Sequence, residues 1–212
     1  MLLEVNKKIS CDTIEKVVEM LVNTHDSLRL SFQNENKKGW SQTYLKDTEV
    51  TLSKEKCNSD KELSKTCEKY QQGLDIASGE IARFVWISTP YYPDHNFLFI
   101  AVHHLGIDGV SWRILFEDLI NGITAIEEGK QNITLTKRTS YRQWTSRLMD
   151  SANTQKIEAE YDYWSKTLSD IPNTPEDYIE SESRTYEKKV DYKFGFSEEE
   201  TKAILDEVNL AY

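Results

Sequence analysis

The residues best suited to chemistry lie together in one short segment, residues 103–109, which holds two adjacent histidines, two glycines and an aspartate. The unperturbed pKa of an imidazole is close to neutral pH, so a histidine can accept and return a proton there. Neighbouring side chains on a strand face opposite sides, so His103 and His104 cannot both face one cavity. We therefore predict that one histidine is reactive and that the other has a structural role.

The segments on either side are of the kinds that would hold these histidines in a fixed place. Residues 97–102 are continuously apolar, which predicts a strand that is buried on both faces. Residues 111–125 carry apolar side chains at helical spacing and predict an amphipathic helix. Gly106 and Gly109 allow backbone geometry that bulkier residues resist. The sequence thus predicts a strand end, a loop open to a cavity and a helix, in that order.

The remainder of the chain mixes strand and helix patterns without an internal repeat, which predicts one α/β layer structure over residues 1–212. Ser10 or Asp12 is a candidate cap for the first helix, and Ser197 for the last. The first strand begins at Met1 without a lead-in and the last helix stops at Tyr212 without a cap, so we expect truncation at both ends. The predicted elements are strands at 1–5, 28–32, 40–45, 81–88, 97–102 and 185–196, helices at 11–25, 60–72, 111–125, 141–168 (one helix or a pair) and from 198, and a surface crossing at 171–183.

Composition narrows the possible functions. The 212 residues carry a net charge of −10 and no block of Lys or Arg, which argues against a nucleic-acid surface. There is no apolar run of the roughly 20 residues that span a bilayer, and no secretory segment at the N-terminus. Cys11, Cys57 and Cys67 lack ligand-type spacing, so we predict free thiols in a reducing cytoplasm and no metal site.

The pattern His103-His104-x-x-x-Asp108-Gly109 resembles the signature of the chloramphenicol acetyltransferase-like superfamily, which includes condensation and epimerization domains of nonribosomal peptide synthetases. The resemblance implies a chloramphenicol acetyltransferase-like lobe, a mixed sheet flanked by helices, that forms one half of a two-lobe fold. The first helix and the whole second lobe of such a domain would lie outside this chain. Further segments that resemble the family are residues 25–32, 79–83, 140–144 and 161–164.

The run Gly-Val-Ser-Trp-Arg-Ile-Leu at residues 109–115 favours an epimerization domain. Condensation domains more often place Trp directly after Asp-Gly, whereas epimerization domains typically have this run followed by an acidic pair, here Glu117 and Asp118. Residues 197–201 and 207–212 also resemble the epimerization pattern. Heterocyclization domains have Asp in place of the first histidines, which disfavours that branch.

The resemblance implies that an aminoacyl or peptidyl thioester is converted from L to D at Cα during antibiotic biosynthesis. The thioester would be carried on the phosphopantetheine arm of a peptidyl carrier protein, with no cofactor bound directly. His104 would be catalytic, and a Glu of the absent C-terminal lobe would act from the opposite face of Cα. The partners implied are that lobe, the carrier protein and adjacent synthetase modules, and the chain alone is predicted to be inactive.

Three further roles in the loop and its surroundings follow from the resemblance. His103 would orient the loop or pack beneath it. Asp108 would form a buried ion pair with Arg83, although Arg83 is also typical of a surface residue on an edge strand. Gly109 would let the backbone approach the pantetheine thioester.

Two residues at the start of the predicted helix have alternative roles. Ser111 either donates a hydrogen bond to the substrate or caps the helix, and capping is favoured. Trp112 either lines the substrate channel or packs in the interior. His25 is predicted only to lie near a helix C-terminus, where a positive charge is favoured.

Other functions are consistent with the same residues. The chain would belong to a condensation domain that forms peptide bonds through His104, to a noncatalytic lobe that binds carrier or partner proteins, or to a free acyltransferase that uses a soluble thioester. A downstream Glu motif facing the histidine would favour epimerization, and a neighbouring adenylation and carrier pair would favour a synthetase.

Overall fold

The computed structural model describes residues 1–35, 39–46, 51–169 and 190–208. These residues form two compact units, Met1–Thr154 and Gln155–Tyr212, and each unit is described by itself. The first unit contains a mixed sheet with helices on both faces, which confirms the predicted fold class. None of the helices in the described ranges is both long and apolar enough to span a membrane.

The described residues of the first unit include six strands: β1 (Leu2–Asn6), β2 (Leu30–Asn34), β3 (Trp40–Tyr44), β4 (Leu52–Lys56), β5 (Ala82–Ser88) and β6 (His95–Val102). Four of them form a sheet in the order β1-β6-β5-β4, in which β6 is antiparallel to both neighbours and β4 is parallel to β5. β2 and β3 form a separate antiparallel hairpin. Strand β6 is buried on both faces, as its continuous apolar run predicts.

Helices and short turns connect and cover these strands: α1 (Cys11–Thr24), a 3₁₀ turn (Asp26–Arg29), α2 (Asp60–Gln72), α3 (Ser111–Glu127), α4 (Tyr141–Ala152), α5 (Gln155–Glu158), α6 (Tyr161–Leu168), α7 (Glu198–Lys202) and a π-helical turn (Ala203–Glu207). Ser10, one of the two predicted caps of α1, accepts a hydrogen bond from the Thr13 N–H at 3.0 Å. The 3₁₀ turn replaces the beginning of the strand predicted at 28–32, so that strand starts two residues later.

The larger core lies on one face of the sheet, where α1 and α3 pack together. Gly122 of α3 sits directly against α1, since a Cβ atom on Gly122 would be 2.8 Å from Cγ1 of Val17. The opposite face carries a smaller cluster that includes α2. Side-chain alternation divides β5 between the two faces, because Ala82, Phe84 and Trp86 belong to the larger core and Val85 and Ile87 to the smaller one.

The second unit contains α5, α6, α7 and the π-helical turn. Ser197 caps α7 as predicted, in a capping box with Glu200. The helix or helix pair predicted at 141–168 is divided into α4, α5 and α6. The strand predicted at 185–196 is wrong for residues 190–196, which contain no strand; residues 185–189 and the predicted crossing at 171–183 lie outside the described residues.

Candidate active site

The loop of residues 103–110 runs from the end of β6 to the start of α3. The His103 N–H donates to the Ile81 carbonyl at 2.8 Å, which ties the loop to the residue before β5. The Gly106 N–H donates to the His103 carbonyl at 2.8 Å, and the Leu105 N–H donates to Nδ1 of the His103 ring at 3.2 Å. Both the backbone and the half-buried side chain of His103 therefore hold the loop in shape.

Gly106 is where this loop meets the turn that follows α1. A Cβ atom at Gly106 would lie 2.9 Å from the Ser27 carbonyl oxygen and 3.1 Å from Cδ1 of Ile81, so a side chain does not fit there. Gly109 is different, because nothing lies within 4 Å of the Cβ position at that residue. Of the two glycines singled out in the sequence, only Gly106 is required by the packing of the chain itself.

The side chain of His104 is exposed and lines a pocket of about 550 Å³. Three parts of the chain form the walls of this pocket: residues 24–27 and 30 around the turn after α1, residues 104–108 and 111 of the loop and the start of α3, and residues 137–141 and 144 at the start of α4. Its volume lies within the range of about 300–1,000 Å³ that is usual for small-molecule sites. His104 is thus placed where a substrate can reach it.

Asp108 and Ser111 form the junction between the loop and α3. Oδ1 of Asp108 accepts hydrogen bonds from the Ser111 N–H at 2.7 Å and the Ser111 hydroxyl at 2.6 Å. These hydrogen bonds, the hydroxyl first, lower the pKa of Asp108, and the nearby His104 acts in the same direction. The favoured role of Ser111 as the cap is therefore wrong: Val110 is the N-cap residue and makes no side-chain cap hydrogen bond, while Ser111, the first helical residue, donates to the Asp108 carboxylate.

The predicted buried ion pair between Asp108 and Arg83 is also wrong. Arg83 pairs instead with Glu80, and its guanidinium donates to the Gly73 carbonyl at 3.4 Å. The reason is the alternation along β5, which puts Arg83 on the sheet face of the smaller cluster, whereas Asp108 is exposed at the start of α3. Arg83 is consequently not part of the pocket that contains His104.

The aromatic residue that lines the pocket is not the one that the sequence indicates. Trp112 is half-buried against the larger core and its ring lies 5.4 Å from that of Phe116, whereas the pocket lining does not include it. Trp144 and Tyr141 of α4 do line the pocket. In the sequence, only the family resemblance draws attention to Trp144. No local sequence pattern indicates that α4 lies beside the loop.

A second imidazole also lines the pocket, although its sequence context indicated no role in chemistry. His25 is the C-cap residue of α1, and its Nε2 lies 2.8 Å from Oδ2 of Asp118 on α3. Asp118 is 6% exposed and occupies the buried side of α3, between Leu115 and Leu119. A carboxylate on a buried helix face needs a polar partner, so the sequence signal that could have been used is the place of Asp118 among the apolar residues of α3, and it would have indicated a partner without identifying His25.

Among the residues that the structure describes, no group of three or more His, Cys, Asp and Glu side chains is arranged to hold a metal ion. The ionisable side chains that line the pocket around the loop are His25, Asp26, His104, Asp108, Lys137, Arg138 and Tyr141. The accessible imidazole of His104 lies near the Asp108 carboxylate, and hydrogen bonds within the loop and to Ile81 hold the backbone that carries both residues.

The mixed sheet, the histidine pair at the end of β6 and the helix that follows define an α/β lobe of the chloramphenicol acetyltransferase type. The family model described as "Condensation domain" matches residues 1–210. The chain therefore belongs to the condensation-domain family.

The relatives with similar sequences are peptide synthetases. The chain is 30% identical over 219 residues to a linear gramicidin synthase of Brevibacillus parabrevis, covering 100% of the chain and 4% of that protein. It is 29% identical to tyrocidine synthase 1 of the same organism, covering 94% of the chain and 19% of that protein. The chain thus spans less than a fifth of the length of either relative.

Solved structures of the same fold include both catalytic branches. The epimerization domain from the third module of tyrocidine synthetase B has a TM-score of 0.72 and 22% identity, covering 85% of this chain and 43% of that one. The starter condensation domain of rhizomide synthetase has a TM-score of 0.63 and 14% identity, covering 78% of this chain and 40% of that one. At these identities the likeness concerns the fold alone.

Proposed function

We propose that the chain is the His104-bearing lobe of an epimerization domain that converts a carrier-bound aminoacyl or peptidyl thioester from L to D. The observation that carries this proposal is the exposed imidazole of His104 in a pocket of about 550 Å³, followed directly by the run at 109–115 that resembles epimerization domains. The fold supports membership of the condensation-domain family, and the run at residues 109–115 supports the epimerization branch of that family.

The reaction requires a proton to leave one face of Cα and another to arrive at the opposite face. The imidazole of His104 accepts the Cα proton, and the electron pair of the C–H bond moves onto the thioester carbonyl to give an enolate. The carboxylate of Asp108 attracts the positive charge that forms on His104. Protonation of the enolate from the other face then restores the thioester with inverted configuration.

The acid on the opposite face belongs, in this proposal, to a second lobe outside the chain. The chain covers 43% of the similar epimerization domain, which leaves room for a lobe of comparable size. By resemblance the acid is a Glu. The thioester arrives on the phosphopantetheine arm of a peptidyl carrier protein, so the lobe binds no cofactor of its own. Adjacent synthetase modules are the other partners in this proposal.

The test uses the complete domain, meaning this chain together with the proposed second lobe. A carrier protein is loaded with an L-aminoacyl group, the domain is added in D₂O, and deuterium at Cα and the D-isomer are measured. We expect both to appear with the wild type and to be lost in His104→Ala. His95→Gln is the matched control, because His95 pairs with Asp94 at the start of β6, outside the pocket. Isotope exchange that survives His104→Ala would refute the assignment.

A condensation domain is the second candidate, favoured by the family model that matches the chain. His104 would then assist attack of an amine on the thioester of a second carrier. One experiment distinguishes the two functions. Deuterium exchange at Cα with a single loaded carrier indicates epimerization, and peptide formed only with two loaded carriers indicates condensation.

We also propose a cytoplasmic location, which the three free thiols fit. Cys11, Cys57 and Cys67 form no disulfide, as is usual where glutathione keeps thiols reduced.

A further inference from the structure

His25 stands at a junction between the core and the proposed catalytic loop. Its N–H donates to the Leu21 carbonyl at 2.8 Å and ends α1, and its carbonyl accepts from the Leu28 N–H at 3.0 Å and begins the 3₁₀ turn. Its side chain reaches in the other direction, to Asp118 on α3. One residue therefore fixes the point where α1, α3 and the turn come together.

The turn that His25 begins touches the loop directly. The Ser27 carbonyl is so close to Gly106 that a Cβ atom there would be 2.9 Å from the oxygen. Gly106 is two residues after His104, and its N–H donates a hydrogen bond to the His103 carbonyl. Contacts thus run without a gap from Asp118 through His25 and Ser27 to the loop.

The same turn supports the opposite wall of the pocket. Oδ1 of Asp26 lies 3.3 Å from Nζ of Lys137, which belongs to the stretch that leads into α4. Lys137 is largely exposed, so this ion pair contributes little to stability. The ion pair of His25 and Asp118 is less exposed to solvent, with side chains 19% and 9% exposed. It is therefore screened less by solvent than the pair of Asp26 and Lys137.

We propose that His25 and Asp118 act as a positioning pair, which holds the turn at Asp26–Arg29 against Gly106 and so places the imidazole of His104 in the pocket. The proposal rests on the proposed function of His104, but it concerns different residues. A displacement of about 1 Å at a reacting group can lower a rate by about 100-fold. Loss of the pair should therefore slow the reaction without abolishing substrate binding.

The test compares variants of the complete domain. His25→Ala removes the link but leaves the buried carboxylate of Asp118 without its imidazole partner. The double variant His25→Ala with Asp118→Asn is therefore the second variant, because it leaves no buried charge. His25→Gln retains an N–H donor at a position similar to Nε2. His95→Gln is the control, because His95 also pairs with an aspartate but lies outside the pocket.

We expect kcat for Cα exchange to fall by about 10- to 100-fold in the double variant while KM changes by less than about threefold. His25→Gln should recover kcat to within about threefold of the wild type. If His25→Gln loses as much activity as the double variant, His25 acts by transferring a proton itself and the positioning role is refuted. The role is also refuted if the double variant keeps wild-type kcat.

A measurement that requires no activity separates this proposal from the proposed function. Hydrogen exchange of the Leu105 and Gly106 amides, both of which donate to His103, should accelerate at least about tenfold in the double variant. The Leu63 amide of α2, on the other face of the sheet, should be unchanged. Loop exchange at the wild-type rate refutes the positioning pair, even if His104 proves to be inert.

Discussion

At the residue scale, the Asp108 carboxylate links the stability of α3 to pH. Its pKa lies below the ordinary value of 3.8 because of the two donors of Ser111. A group with a lowered folded-state pKa stabilises the fold above its unfolded value, and this contribution is lost as pH falls through the folded value. We expect Asp108→Ala to lower Tm at pH 7 and the difference from the wild type to shrink below about pH 4.

Asp108→Asn is the control for this prediction, because the amide oxygen still accepts from Ser111 but carries no charge. Its Tm should lie between those of the wild type and Asp108→Ala at pH 7. Calorimetry from pH 7 to pH 3 provides the comparison. A difference in Tm between wild type and Asp108→Ala that stays constant over this pH range would show that the ionised carboxylate does not stabilise the start of α3.

The two glycines of the loop form a matched pair for a second prediction. Gly106→Ala places a methyl group against the Ser27 carbonyl and should lower the free energy of unfolding by about 1–3 kcal/mol. Gly109→Ala meets nothing within 4 Å, so it should change the free energy of unfolding by less than about 0.5 kcal/mol. Urea denaturation measures both changes, and equal losses would show that the loop does not pack as described.

At the element scale, the contact between α1 and α3 can be tested through Gly122. Alanine favours a helix over glycine by about 1 kcal/mol, but here its Cβ would lie 2.8 Å from Cγ1 of the buried Val17. Overpacking costs about 1–3 kcal/mol, so Gly122→Ala should be destabilising by up to about 2 kcal/mol. In a Val17→Ala background the same change should become neutral or stabilising, because the methyl group then has space. A double-mutant cycle without coupling would argue against this contact.

Local patterns predicted most elements of the first unit, and the failures have physical reasons. β6 and α3 were predictable because long apolar runs and helical spacing are strong signals. β4 gave no such signal, because only Leu52 of its five residues is buried and the others are polar or charged, as suits a strand at the edge of a sheet. A strand was predicted to include residues 190–196, but strands require partners that a local pattern cannot supply.

Pairings between elements were harder to predict than the elements. The position of Arg83 could have been found from alternation along β5, which separates it from the larger core. The pair of His25 and Asp118 joins residues 93 positions apart, and the apolar spacing of α3 could have indicated only that Asp118 needs a partner. Trp144 lines the pocket because the segment after α3 brings α4 back to the loop of residues 103–110. That path depends on tertiary packing, which a local sequence pattern does not show.

At the scale of the whole molecule, the first unit leaves a line of large apolar side chains uncovered on α4. The spacing of this line places its members on one face of the helix. Side chains of this size are usually buried, and an uncovered set is typical of an interaction surface. The exposed residues are Tyr141, Trp144, Leu148 and Met149.

The proposed mechanism divides its two proton-transfer groups between this chain and the proposed second lobe. Inversion at Cα needs an acid on the face opposite His104, and in the proposed mechanism that acid is outside residues 1–212. We therefore expect the isolated chain, checked for folding by circular dichroism, to form no D-isomer from an L-aminoacyl carrier, whereas the complete domain does. Any Cα deuterium that His104 introduces alone should be found with L configuration retained. Formation of the D-isomer by the isolated chain would place both proton-transfer groups in this lobe, and His25, the other imidazole that lines the pocket, would then have to be tested as the second.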